Sequence, residues 1–511
     1  MRAEAPRLRA IVTLDGQPFI YDETDGKDLG VFTSDLGGFA QQCVKVTHES
    51  CPLSLFFRPD RGGNRLEVVF EHGDVSGAPR NLDRYKVEIF SGTTALAAID
   101  VPKHFWFGRW RWQSAPRPIV GDVKSLIAKG ALPPYAPSKD VGSPALAPYT
   151  LMGLAGVTAY MGTTGERPDI GLLTEPQAHY ACTGSRAALA IVRAQAEAAS
   201  TLPWHIRDKK TGAPIDLDAF PKMSWYPDRL TGALQVPLAN TGISIDSAHQ
   251  PALAYLPYLL TGDPYHLEDL QFAANFNRGT LPPEYRLSIP QTRAFAWSMR
   301  TLAQAATVTP STTPRWILPR SYWQKDLART RAWFDTNYIK SRDPVRAVFQ
   351  ATDNPSTNRA DGAAAPEGTW ISPWQEEFLV GVFGWMVMMG LDDWRDAFTW
   401  KIASTIARTN GASGWVRAYA TPYRLVLRPD KSAPFAKSWG EAWQIASTLA
   451  GWQPSDPNTI QGNDLTYYTY TRAALAMGVR LGVAEAQPCL TWLEDQLRRR
   501  NATIPYRWRI A

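Results

Sequence analysis

Two hydrophobic periods divide the chain. Up to about residue 115, apolar and polar positions alternate in short runs. Arg9-Ala-Ile-Val-Thr-Leu14 meets Asp15-Gly16 and then Gln17-Pro-Phe-Ile-Tyr21; Val44-Lys-Val-Thr47, Leu53-Ser-Leu-Phe-Phe57, Arg65-Leu-Glu-Val-Val-Phe70 and Tyr85-Lys-Val-Glu-Ile-Phe90 follow. Alternation puts one face of a strand on a core, and Asp-Gly supplies the positive φ angles of a tight turn, so the first pair reads as a hairpin and the set as a β-sandwich. From Leu151 the period is nearer four, which predicts helices over 187–199, 291–306, 322–338, 377–389, 394–407, 438–450 and 467–477. Apolar runs stop at Thr183-Gly184, Thr261-Gly262, Met389-Gly390 and Met477-Gly478 and restart within a few residues. Glycine closes helices in the left-handed conformation, so each stop predicts a helix folding back on its predecessor. Most of these helices are apolar on more than one face, as in concentric layers. Prolines at 116, 118, 133, 134, 137, 144 and 148 separate the two regions. The expected fold is α+β and multidomain: a β-sandwich over 1–115, a proline-rich linker or strap over 116–150, and a large α/α toroid over 151–511, an incomplete or closed barrel of helical hairpins.

Composition changes this picture little. With 511 residues, 44% hydrophobic and 20% charged, the chain has ample material for one large core and a satellite. The net charge of +6 is scattered, with Arg498-Arg499-Arg500 the main cluster, so nucleic acid is not an expected partner. No stretch approaches the roughly 20 continuous apolar residues of a membrane span. Met1-Arg-Ala-Glu-Ala-Pro6 has no apolar leader core, which leaves cytoplasmic, trimmed secreted and virion-associated locations open. Cys43 and Cys51 are near enough in sequence for a local disulfide, buried free thiols being the alternative. The absence of HExxH, GxSxG, a P-loop and a dinucleotide fingerprint leaves no metal or cofactor expected.

Candidate chemistry gathers between Asp169 and Arg300, where four of the seven histidines lie. Glu175 and His179, four apart, share a face if helical. Pro203-Trp204-His205-Ile-Arg207-Asp208 packs polar and aromatic groups into an expected loop. Asp246 is placed to cap a helix carrying His249 at its third position, with Tyr255 and Tyr258 following. Asn275-Phe-Asn277-Arg278 ends the next helix and Gln291-Thr-Arg293 opens another. Of twenty tryptophans, more than half are expected to fill gaps between helices. Trp370 and Trp374, in a polar setting before a helix, are better placed to stack on sugar rings.

A β-rich domain joined to helical hairpins, with His, Tyr, Asn and Arg on loops and helix starts and many Trp, resembles the α/α-toroid carbohydrate-active enzymes, both polysaccharide lyases and glycoside hydrolases. The segment from Asp246 to Asp263, with Gln291 to Arg300, also resembles uncharacterised bacterial and phage proteins. Many toroid lyases carry the β domain after the helices, whereas here it comes first. The resemblance implies degradation of a polysaccharide or oligosaccharide, first by β-elimination of a uronate-containing chain. Asn277 and Arg293 would then neutralise the uronate carboxylate, His249 would remove the C5 proton, and Tyr255 or Tyr258 would protonate the leaving oxygen. Glu175, His205, Arg207, Trp370 and Trp374 would bind substrate in the same cleft. Two alternatives stand beside it. A glycoside hydrolase would draw its carboxylate pair from Glu175, Asp246, Glu367, Glu376 and Glu377, and a carbohydrate-binding or phage virion protein would use the cleft without turnover.

Overall fold

The computed structural model describes residues 7–73, 80–139, 142, 147–162, 167–225, 234–235, 242–280, 291–340, 345–347, 369–430, 432–462 and 464–511. Nine strands come first: β1 (Leu8–Leu14), β2 (Gln17–Asp22), β3 (Lys27–Ser34), β4 (Phe39–His48), β5 (Cys51–Phe57), β6 (Glu67–Glu71), β7 (Tyr85–Ser91), β8 (Thr94–Val101) and β9 (Arg109–Gln113). They form two antiparallel sheets, a four-stranded β2-β1-β7-β8 and a five-stranded β3-β4-β5-β6-β9. The predicted hairpin is β1–β2, turning at Asp15-Gly16 with Leu14 opposite Gln17. Side chains from both sheets, among them Val12, Val87, Leu55, Val68 and Trp110, share one core in a sandwich-like arrangement.

The five-stranded sheet is covered on its second face too. Leu29, Phe32, Cys43, Phe56 and Val69 pack against Tyr258, Tyr265, Leu267 and Trp316 of the helical region. This explains β6, buried at all five positions, Glu67 and Glu71 included, where alternation predicts one wet face. Cys43 and Cys51 are free thiols that belong to these two different cores.

Twelve helices are described: α1 (Val123–Ala128), α2 (Glu175–Thr183), α3 (Arg186–Ala198), α4 (Tyr255–Thr261), α5 (Pro264–Thr280), α6 (Thr292–Val308), α7 (Arg320–Phe334), α8 (Pro373–Met388), α9 (Arg395–Thr409), α10 (Trp439–Ala450), α11 (Thr466–Arg480) and α12 (Ala486–Arg499). Consecutive helices pack in pairs, α2 with α3, α4 with α5, α6 with α7, α8 with α9 and α11 with α12. Helices α6, α8 and α11 also touch in succession, and a terminal 3-10 turn, Tyr506–Trp508, packs on both α11 and α2. One core runs through these elements. Gly184, Gly262 and Gly451 end α2, α4 and α10 in the left-handed conformation.

Three expectations change in detail. Gly478 does not stop a helix: α11 runs on to Arg480, and a Cβ at Gly478 would lie 2.3 Å from Ile402 Cδ1, so glycine there permits a close helix crossing. The proline-rich segment contains α1, started by Asp122 accepting from the Ser125 amide. That segment is held as a strap: Val120 donates to the Leu260 carbonyl, the Trp385 indole to that of Gly130, and the Ala136 amide to that of Arg509. Third, Asp246 and His249 belong to an isolated 3-10 turn, Ser247–His249, and helix resumes only at Tyr255. Pro251 disfavours helical backbone at Gln250, which is extended.

Candidate functional site

The 3-10 turn is pinned from behind. The Gln250 amide donates to the Ala273 carbonyl at 3.0 Å, and its oxygen accepts from Thr301 at 3.0 Å and from Asn277 Nδ2. Arg300, wholly buried, donates to the backbone carbonyls of Gln250 and Gly171. Burial holds its pKa down to about 9. Arg167 donates to the His249 carbonyl at 3.1 Å and is itself held by Asp169 at 3.0 Å. Helices α5 and α6 and the 167–171 loop therefore fix the backbone on which Asp246 and His249 stand.

Asp246 does two things at once. Oδ1 caps the turn by accepting from the Ala248 amide at 3.0 Å, and Oδ2 bonds His249 Nδ1. With Nδ1 engaged, Nε2 is buried and has no hydrogen-bond partner among the described residues. Burial pushes the His249 pKa below its ordinary value; Asp246 opposes this, while the Arg293 and Arg167 charges reinforce it. Burial pushes the Asp246 carboxyl up, but hydrogen bonds from His249 and Ala248 and the Arg293 charge outweigh it and leave it below the usual carboxylate range.

Arg293 links this pair to an aromatic wall. Its amide donates to Gln375 Oε1 at 3.1 Å and its guanidinium lies 5.5 Å from the Trp374 ring centroid. Burial lowers its pKa, partly countered by Asp246 and by Tyr423. Tyr423 stacks on Trp374 with centroids 5.9 Å apart, and Tyr467 flanks the same indole at 5.8 Å. A short antiparallel pair, β10 (Trp370–Ile371) with β11 (Leu425–Val426), sets Trp370 beside Arg424, whose guanidinium lies 4.5 Å from the Trp370 ring. His249, Arg293, Trp374 and Trp370 thus fall in one neighbourhood. Arg167, Gln375 and Tyr423 belong to it without any sequence signal beyond residue type; the pairing of Arg167 with Asp169 two residues on is the nearest to one.

The other candidates lie elsewhere. Asn277 is fully buried behind Gln250, its Oδ1 without a partner among the described residues. Tyr255 donates to the Ala131 carbonyl at 2.7 Å and packs on Trp385. Its hydroxyl sits by Thr307, about 21 Å along α6 from Arg293 at 1.5 Å rise per residue. Tyr258 packs in the core under the five-stranded sheet. Glu175 accepts the Tyr506 and Arg507 amides at 2.8 and 3.0 Å, and His179 stacks on Tyr506 at 4.1 Å, so this pair holds the terminal turn. His205 and Arg207 lie on the sheet side of α5. His205 bridges the Phe107 carbonyl and Asp269, and Arg207 binds Glu71 and Glu268. Glu376 and Glu377 are buried against Lys401 at 2.5 Å and Arg408 at 2.6 Å. Glu367 is outside the described residues.

Among the described residues no group of three or more His, Cys, Asp or Glu is arranged to hold a metal ion, and no helix is long and apolar enough to cross a membrane. The chain matches no protein-family model, and no curated protein or solved structure is significantly similar to it.

Proposed function

We propose that the chain is a polysaccharide lyase that cleaves a uronate-containing chain by β-elimination at the Asp246–His249 site. The observation that carries this reading is the dyad itself: an imidazole fixed through Nδ1 by a carboxylate, with Nε2 unpartnered among the described residues and its pKa below the ordinary value. Such a group is neutral near pH 7 and serves as a base. In the proposed step Nε2 takes the C5 proton of the uronate, the C–H electron pair becomes the C4–C5 double bond, and the C4–O bond breaks. Arg293 holds the uronate carboxylate as charge develops on it. Tyr423, beside Arg293, supplies the proton to the leaving oxygen. Trp370, half-buried, offers a face to a sugar ring, while Trp374, buried under Tyr423 and Arg293, backs the wall behind it. The succession of helix pairs, closed by the contact of the terminal turn with α2, supports the toroid arrangement for the helical region.

The hydrolase reading needs two carboxylates facing one bond. Glu175, Glu376 and Glu377 are each committed to internal partners, which favours the lyase. The test is incubation with a panel of acidic polysaccharides, following ultraviolet absorbance for the unsaturated product and reducing ends for any cleavage. Absorbance that rises with reducing ends is the expected result. Reducing ends alone would assign a hydrolase, and neither signal across the panel would assign a binding protein, of the host cell or of a virion. His249→Asn, which preserves a donor to Asp246 and removes the base, should lower turnover by about 10²- to 10⁴-fold.

A further inference from the structure

The 205–210 loop and strands β3, β4 and β5 enclose a cavity of ≈ 360 Å³ on the sheet side of the molecule. Lys27, Lys45, Arg207 and Lys209 line it. It is distinct from the Asp246–His249 site: Arg207 meets α5 at Glu268, about 14 Å along the helix from Asn277, which backs the dyad.

The charges in this cavity do not balance. Glu71 lines it but is bound on both oxygens by Arg207, at 2.6 Å each, and Glu49 is exposed on the turn after β4. Lys45 makes no ion pair among the described residues; its ammonium lies 5.7 Å from the Phe56 ring centroid. Burial lowers the Lys45 pKa, and the charges of Arg207, Lys209 and Lys27 lower it further, with Glu71 opposing. Cations crowded against a partly buried ammonium make a focused positive potential that an incoming anion relieves. Thr47, His48 and Ser54 on the same walls provide hydrogen-bonding groups suited to sugar hydroxyls. Apart from two histidine rings, no aromatic side chain lines the cavity, so the stacking platforms that single-stranded nucleic acids use are lacking among the described residues.

The geometry points to a second anion site in this cavity, one that holds a carboxylated or sulfated sugar unit of an acidic polysaccharide away from the site of cleavage. It extends the proposed function and rests on its substrate class. Chains long enough to reach both sites would bind more tightly than short ones, because the second contact is made intramolecularly.

The test uses the full chain carrying His249→Asn, titrated calorimetrically with oligogalacturonate, a sulfated dextran oligomer, neutral dextran and a single-stranded oligonucleotide. Binding of at least one acidic oligosaccharide but not neutral dextran, weakened tenfold or more by Lys45→Met with Lys209→Ala, supports the site, and the tighter of the two acidic probes identifies the anionic group. Acetylation of the chain carrying only His249→Asn, read by mass spectrometry, keeps the test independent of how well the lysine variant folds; Lys27, Lys45 and Lys209 should be protected by the bound oligomer. Unchanged affinity in a folded variant, no binding by either acidic probe, or no lysine protection would overturn the proposal. So would an oligonucleotide that binds as tightly and loses as much. Lysine-dependent binding with no unsaturated product from the unmutated protein would sink the lyase reading and leave this site standing; unsaturated product from the unmutated protein with lysine-independent binding would do the reverse.

Discussion

Asp246 and Arg293 act on His249 in opposite directions, and this makes the proposed base testable by sign as well as by size. The folded His249 pKa lies below the ordinary 6.5, so the base is neutral at pH 7 and is lost as pH falls through the folded value. The Asp246 carboxylate favours the imidazolium, so Asp246→Asn should move the acid limb of kcat/KM to lower pH. The Arg293 guanidinium disfavours it, so Arg293→Gln should move the same limb upward. Profiles from pH 4 to 8 on the responsive polysaccharide check both, and an acid limb that neither variant moves would remove His249 from the chemistry. The same depression contributes stability above the unfolded pKa that is lost as pH falls through the folded one. Residue type with a capping carboxylate three residues earlier makes His249 legible in the sequence, and residue type at a helix start does the same for Arg293. What the sequence does not contain is the partner of each polar group. Tyr255 has the right chemistry, yet its hydroxyl is taken by the Ala131 carbonyl, and Asn277 is spent on Gln250.

Helices are legible wherever period and punctuation agree. The 438–450 expectation meets α10 at Trp439–Ala450, with Ser438 accepting from the Glu441 amide and Gly451 closing the end. The 377–389 expectation starts four residues late because Pro373, at the first helical position, begins α8 ahead of the apolar run. Gly478 shows the limit of punctuation: a glycine within a helix and a glycine ending one look alike until the neighbour is known. The two kinds differ in what alanine does to them. At Gly451, φ +68 with nothing within 4 Å of the added Cβ, Gly451→Ala should cost about 1 kcal/mol of left-handed backbone strain. At Gly478 the Cβ would press on Ile402 Cδ1 at 2.3 Å and Ala486 Cβ at 2.9 Å, so Gly478→Ala should cost about 1–3 kcal/mol by overpacking. Urea midpoints at constant slope measure both, and equal, negligible losses would refute the crossing role. Strand β6 fails period two for a related reason: its outer face is dry because another element lies on it.

The element on it is α5, and the join between the sheets and the helices is ionic as well as apolar. Arg58 grips Glu268 through two bonds, 2.6 and 3.0 Å; Arg109 reaches Glu268 at 3.0 Å and Asp269 at 2.7 Å; Arg111 reaches Asp263 at 2.7 Å and Glu67 at 3.1 Å. All these groups are buried. Burial pushes the Glu268 and Asp263 carboxyls up, but the surrounding arginines outweigh it and hold both well below the usual range. Their contribution to stability is therefore present above the unfolded carboxylate pKa of about 4 and is lost as pH falls below it. Sequence cannot reveal such a network, because its members are spread from Arg58 to Asp269 and each reads alone as a surface charge. Removing one partner strands the others in a dry interface, so Glu268→Gln should cost about 3–5 kcal/mol, while Arg58→Met with Glu268→Leu should recover part of that loss by removing a charge of each sign together. If the network couples the sheets to the helices, urea unfolding followed by tryptophan fluorescence and by circular dichroism should give one coincident transition in the unmutated chain. Two separate transitions there, or a Glu268→Gln loss under 1 kcal/mol, would mean that the sheets and helices fold as independent units whose charges only happen to meet.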